Sequence, residues 1–358
     1  MVIAACQPAR VTPVVPAGEW STALGDPARS AYGDGRIGTD LSIVWRQRID
    51  PGLAAPLQVH GPVLIATTAG RAVATINAET GARYWSRRFG GPIAGSALRR
   101  DDMVYVATGD RDNRVHAIDI SRGRDRWSKR VGEVRLEPLL IDSAIVVVTE
   151  AGVVIALNTH DGEERWQTTL DAPPAVPPVI AAGNIFVASA RDTLYALDPA
   201  NGSIVNRLAL DRAPSAAGLV WDDLLLFPLV SRRVTAIRLA TFADVAWSTA
   251  VSEPIDATPV RIGNSAFLLD RAANVWRVSR DGAIVRIADL GGAASASLTA
   301  VGNQLVVGRL DGRLYVLNTE GDVVASLDFD DSIIAPVAAA DGVLWVPLLR
   351  GDIVRIEG

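Results

Sequence analysis

A chain of 358 residues, 49% of them apolar, can bury a large core. Its charge is mildly acidic, 35 basic against 40 acidic residues, so it lacks the basic balance that nucleic-acid binding calls for. One cysteine, Cys6, excludes an intrachain disulfide and any zinc site built on cysteine pairs.

At the N-terminus, Ile3-Ala-Ala-Cys6 reads as the end of a bacterial lipoprotein signal, with small residues before a cysteine that becomes lipidated. Cys6 is the expected lipid attachment, and residues 1–6 the remnant of that signal. Residues 7–38 read as a Pro/Gly-rich tether and N-terminal extension, with three prolines between Gln7 and Gly18. No later segment reaches the roughly 18 apolar residues that span a bilayer.

From residue 39 onward the chain repeats. Trp45, Trp85, Trp127, Trp166 and Trp247 are spaced by 40, 42, 39 and 81 residues, the last being two units. Between them one phrase returns, as in Ala117-Ile-Asp-Ile-Ser-Arg-Gly123, Ala156-Leu-Asn-Thr-His-Asp-Gly162 and Ala196-Leu-Asp-Pro-Ala-Asn-Gly202. Short strands on such a period mark a solenoid, propeller or array.

Each unit divides into four strands. The first begins near a proline (Pro56, Pro138, Pro178, Pro259, Pro336), a residue tolerated only where the ladder needs no donor. A tight turn leads to an apolar strand such as Ile145-Val-Val-Val148 or Ile185-Phe-Val-Ala188, which fits a strand covered on both faces. The third strand alternates, as in Leu314-Tyr-Val-Leu-Asn318. A glycine closes the third turn and the tryptophan follows four residues later, where a wide side chain can dock one sheet on the next.

Continued through degenerate units, the marker falls at 45, 85, 127, 166, 206, 247, 286 and 325, with Asn206, Arg286 and Ala325 replacing tryptophan. The remainder holds three strands, around 334–337, 343–346 and 352–356, and Leu41–Arg46 from the other end supplies the fourth. The expected fold is all-β: an eight-bladed β-propeller of four-stranded antiparallel blades over 39–358, the last blade closed by the N-terminal strand.

A strand ending in Ala-Leu-Asp, a turn glycine, then tryptophan resembles the pyrroloquinoline-quinone-type propeller repeat, from about Trp20 to the end. That superfamily has an enzyme branch, the quinoprotein dehydrogenases, and a non-catalytic envelope branch typified by the BamB-like lipoprotein of outer-membrane β-barrel assembly. The enzyme branch implies a catalytic aspartate, calcium held by oxygen ligands and, in many members, an adjacent cysteine pair. One cysteine cannot supply the pair. Oxygen-rich stretches at Asp110-Arg-Asp-Asn113, Asp222-Asp223 and Asp328-Phe-Asp-Asp331 belong to different units and read as turn chemistry. His60, His116 and His160 fall at three different phases of the repeat, which argues against a shared metal.

The resemblance therefore implies a non-catalytic scaffold without cofactor, lipid-anchored on the periplasmic side of the envelope, whose partner is a membrane protein complex. An accessory subunit of another envelope complex, a quinoprotein oxidoreductase and a glycan-binding propeller remain as alternatives. Relatives of this branch bind their partner through inter-blade loops bearing leucine, arginine and aspartate, chemistry also present in Arg191-Asp-Thr-Leu194. The fifth unit departs most from consensus: its turn glycine is lost near Thr241-Phe-Ala243, and Pro228 interrupts Leu224–Pro228. Loops around Asp222, Asp223, Arg232 and Arg233 are accordingly expected to form part of a protein-binding face, whereas Trp45, Trp85, Trp127, Trp166 and Trp247 are expected to dock blades.

Overall fold

Alternating apolar residues and turn glycines produce strands throughout a computed structural model, which describes residues 32, 33, 35–49, 52, 53, 55–242, 244–294 and 297–358. These residues form strands and turns, without a helix. Eight antiparallel sheets stand around an axis, over residues 58–88, 98–130, 139–169, 179–209, 219–250, 260–289 and 299–328, with 338–357 joined to Ser42–Arg48. These are numbered first to eighth. Cys6 and most of the expected tether lie outside the described residues.

The innermost strand of each blade is three residues long, and the prolines stand just ahead of it. Pro138, Pro178 and Pro259 immediately precede Leu139–Ile141, Val179–Ala181 and Val260–Ile262. The second strand is buried along nearly its whole length, as Val63–Thr68 and Ala144–Val148 illustrate. Pro228 does not break its strand, contrary to the sequence reading: Leu224–Leu229 runs through it, with Pro228 opposite Val234. Its carbonyl faces inward and accepts from Ser215 N at 3.0 Å, so the missing N–H costs the outer ladder nothing. Pro347 occupies the same place in the eighth blade.

A bulge then aims the marker. In seven blades the outermost strand carries one extra residue directly before the marker position, at Val44, Tyr84, Arg126, Arg165, Val205, Ala246 and Val324. Bulges bend a strand and redirect side chains. The indole of Trp85 donates from Nε1 to Ile120 O of the next blade at 2.6 Å, Trp127 to Thr159 O at 2.9 Å, and Trp166 to Pro199 O at 2.9 Å. Each ring lies against the glycine of that next turn. A Cβ on Gly162 would come within 2.5 Å of Trp127, and one on Gly202 within 2.2 Å of Trp166. Both glycines also hold positive φ, so conformation and space make the same demand.

Ring closure follows the expected route. Ser42–Arg48 pairs antiparallel with Asp352–Glu357, from Ser42 opposite Glu357 to Arg48 opposite Asp352. Two indoles secure this seam, since Trp45 and Trp345 both donate to Ala78 O, at 3.3 and 3.2 Å. The seam between the seventh and eighth blades, where Ala325 replaces tryptophan, is filled by the chain's own N-terminal strap. Ile37 is buried there among Val316, Ala325, Leu344 and Val354. Gln304 holds the strap by both amide atoms, accepting from Ile37 N at 2.7 Å and donating to Ile37 O at 3.0 Å. Further back, Tyr32–Gly33 pairs in parallel with Thr299–Val301 on its inner side and touches the first strands of the sixth and eighth blades. The chain therefore reaches the axis before it reaches the rim.

Candidate functional site

Successive hairpins alternate ends, which gives the disc two chemically different rims. First-to-second and third-to-fourth turns share one, termed here the hairpin rim; second-to-third turns and blade-to-blade connections share the other, the connector rim. Asp222 and Asp223 lie on the hairpin rim, at the turn before Leu224–Leu229. Arg232 lies at the far end of that strand, on the connector rim, and Arg233 opens the next strand. The four residues expected on one face are thus divided between two.

Their bonding differs as well. Asp222 accepts from Arg261 at 2.5 Å and from Arg280 at 2.7 Å, and Arg280 also reaches Asp223. The Arg261 guanidinium, with Arg280 beside it, holds the Asp222 carboxyl below its ordinary range. Arg280 lies 5.6 Å over the ring of Trp221, which is wholly buried. These two arginines belong to the sixth blade, so the acidic turn of the fifth is used as an inter-blade clamp. Arg233 is fastened to its neighbouring strand, donating to Ser248 Oγ at 2.8 Å and Ser248 O at 2.6 Å.

Arg232 is exposed and has no side-chain partner among the described residues. Beside it Val230 is 60% exposed, and the same turn position carries exposed Leu310 and Leu349 in the seventh and eighth blades. In the fourth blade, Arg191 bonds Asp171 O at 3.1 Å and Asp192 accepts from Ala213 N at 2.6 Å. The connector rim therefore presents aliphatic side chains interleaved with arginine, a composition suited to protein contact. Sequence reading missed Val230, Leu310 and Leu349, although their shared place, first in the second-to-third turn, was a usable signal.

Several of the donors named for a metal are already engaged, whereas Asn113 Oδ1 is buried without a hydrogen-bond partner. Asp112 contacts His116 Nε2 at 3.0 Å, Asp330 contacts Arg46 at 2.8 Å, and Asp331 accepts from Arg350 N at 2.7 Å. His60, His116 and His160 stand on three separate blades. Among the described residues no three His, Cys, Asp or Glu side chains are placed to share a cation. Tyr32–Gly33 lines the inner side of the seventh blade, on the axis. Trp221 is buried, and Trp276 is partly buried against the core shared by the fifth and sixth blades, with Nε1 bonded to Asp270 at 2.9 Å.

Comparison with known proteins agrees with this geometry. A family profile described as outer membrane protein assembly factor BamB matches residues 38–141 and 112–267. The BamB of Yersinia pestis is 24% identical over 314 residues, 76% of this chain and 76% of that protein. The crystal structure of BamB from Moraxella catarrhalis superposes with a TM-score of 0.74 at 17% identity, covering 89% of this chain and 98% of that one. A quinohemoprotein alcohol dehydrogenase from Comamonas testosteroni superposes with a TM-score of 0.72 at 12% identity, over 95% of this chain and 80% of that one, a likeness of fold alone. With a matching profile over more than half its length and eight repeat blades closed into a ring, this chain belongs to the BamB family of outer membrane protein assembly factors.

Proposed function

We propose that the protein is a non-catalytic scaffold that docks a membrane-protein partner during outer-membrane assembly. It acts on the periplasmic side of the envelope, held there by a lipid on Cys6. The observation that carries this reading is the family match over residues 38–267. It is supported by an acidic turn, Asp222-Asp223, that is spent on the fifth-to-sixth seam, and by an axis that receives the chain's own backbone. Docking uses the connector rim, with Val230 as an apolar contact and Arg232 as a guanidinium free to pair with a carboxylate of the partner. Asp222 and Asp223 serve this face indirectly, by fixing the fifth blade against the sixth, and Arg233 by fastening two strands of the fifth blade to each other.

Affinity purification from detergent-solubilised envelope tests the proposal. The tagged protein is expected to bring down an outer-membrane assembly protein, and a Val230→Asp/Arg232→Glu variant to lose it. Cys6→Ser is expected to move the protein from the membrane fraction to the soluble one. Recovery of no envelope protein, or quinone-dependent dye reduction by the purified chain, would overturn the reading.

A further inference from the structure

Two first-to-second turns carry a pair of aspartates, Asp101-Asp102 in the second blade and Asp222-Asp223 in the fifth. They occupy the same register, with Arg100 standing where the fifth blade has Trp221. In the fifth blade the seam is closed from within: Arg280 reaches both carboxylates and Arg261 adds a second bond to Asp222. The third blade offers His160 in place of Arg280 and Leu140 in place of Arg261. Neither supplies a guanidinium. The carboxylates of Asp101 and Asp102 have no hydrogen bond or ion pair among the described residues.

That seam, docked by Trp127 against Gly162, keeps an open cleft beside His160. A cleft of about 440 Å³ separates the second and third blades, walled by Arg100, Asp101, Asp102, Tyr105, Arg126 and His160 among others. Arg126 is committed to Asp119 at 2.8 Å, and Tyr105 donates to Thr159 O at 3.1 Å. Nη1 of Arg100 is buried with no acceptor, the kind of buried donor that folded proteins seldom leave unsatisfied.

The geometry points to a socket for an arginine side chain of a second protein. Its guanidinium takes Asp101 and Asp102 as Arg280 takes Asp222 and Asp223. Planar guanidinium suits paired carboxylates better than a point-charge ammonium does. The socket lies on the hairpin rim, opposite Val230 and Arg232, and stands independently of the connector-rim docking proposed above.

The full chain is titrated with acetyl-Gly-Arg-Gly-amide and, separately, with acetyl-Gly-Glu-Gly-amide, reading melting temperature and backbone amide shifts. The arginine peptide is expected to give saturable shifts around residues 100–105 and 159–160, and Asp101→Asn/Asp102→Asn to weaken it by roughly tenfold or more. His160→Arg is expected to raise the melting temperature without peptide and to abolish the response, because a tethered guanidinium then fills the seam. An equal response in the double-asparagine variant, a response to the glutamate peptide alone, or no saturable response to either would overturn the assignment.

Discussion

Asn206 donates to Phe242 O at 3.3 Å across the seam between the fourth and fifth blades, where neighbouring seams set tryptophan against glycine. The two residues exchange sizes: the marker shrinks to an amide while the turn residue grows to a ring. Phe242 keeps the positive φ of the glycine it replaces and packs 5.0 Å from Phe186. The cross-seam hydrogen bond survives the exchange. We expect Asn206→Trp alone and Phe242→Gly alone each to destabilise, by overpacking and by a cavity respectively, about 1–4 kcal/mol. The double variant should recover most of that loss in a denaturant double-mutant cycle.

The ordinary seams should be less forgiving. Trp127→Ala removes a half-buried indole and its bond to Thr159, and a loss of about 3–5 kcal/mol is expected. Gly162→Ala should also destabilise, since its Cβ would meet Trp127 at 2.5 Å from a backbone already at positive φ. Urea unfolding of both variants and of the wild type checks the pair.

The N-terminal strap makes a separate prediction. Gln304→Ala leaves the backbone N–H and C=O of Ile37 without their buried partners, which should cost roughly 2–4 kcal/mol. Hydrogen exchange should then rise first in the seventh and eighth blades, because their shared core includes Ile37. Uniform exchange across all blades would argue against a local role.

Acid should loosen the fifth-to-sixth seam. Arg261, then Arg280, lowers the Asp222 carboxyl below its unfolded value, so the clamp contributes fully above the ordinary carboxylate pKa of about 3.9 and is lost as pH falls through the depressed value. The stability gap between wild type and Asp222→Asn should therefore be constant near neutral pH and close in strong acid. Because the pair is exposed, added salt should narrow the gap as well. Thermal melts over a pH series with and without salt measure both trends.

How much of this could be read from residues alone depends on distance along the chain. The tryptophan beat and the turn glycines recur within one unit, so blade number, strand order and the closing strand were all legible. What escaped were relations between units. Asn206 and Phe242 lie 36 residues apart, and each taken alone looks like drift from consensus. Asp222 resembled a free acidic turn because its partners stand 39 and 58 residues away. The strap was invisible for a different reason: a two-residue parallel pairing and one buried isoleucine carry no periodic signal. The fifth unit's departure from consensus suggested a single face for Asp222 and Arg232, whereas a six-residue strand sends them to opposite rims.

Site-specific photocrosslinking in living cells tests the central claim most directly. With the crosslinker at position 232 on the connector rim, the account predicts an adduct with an outer-membrane assembly protein; at position 165, on the outer edge of the third blade, it predicts none. Adducts from 165 alone, or from neither position, would contradict it.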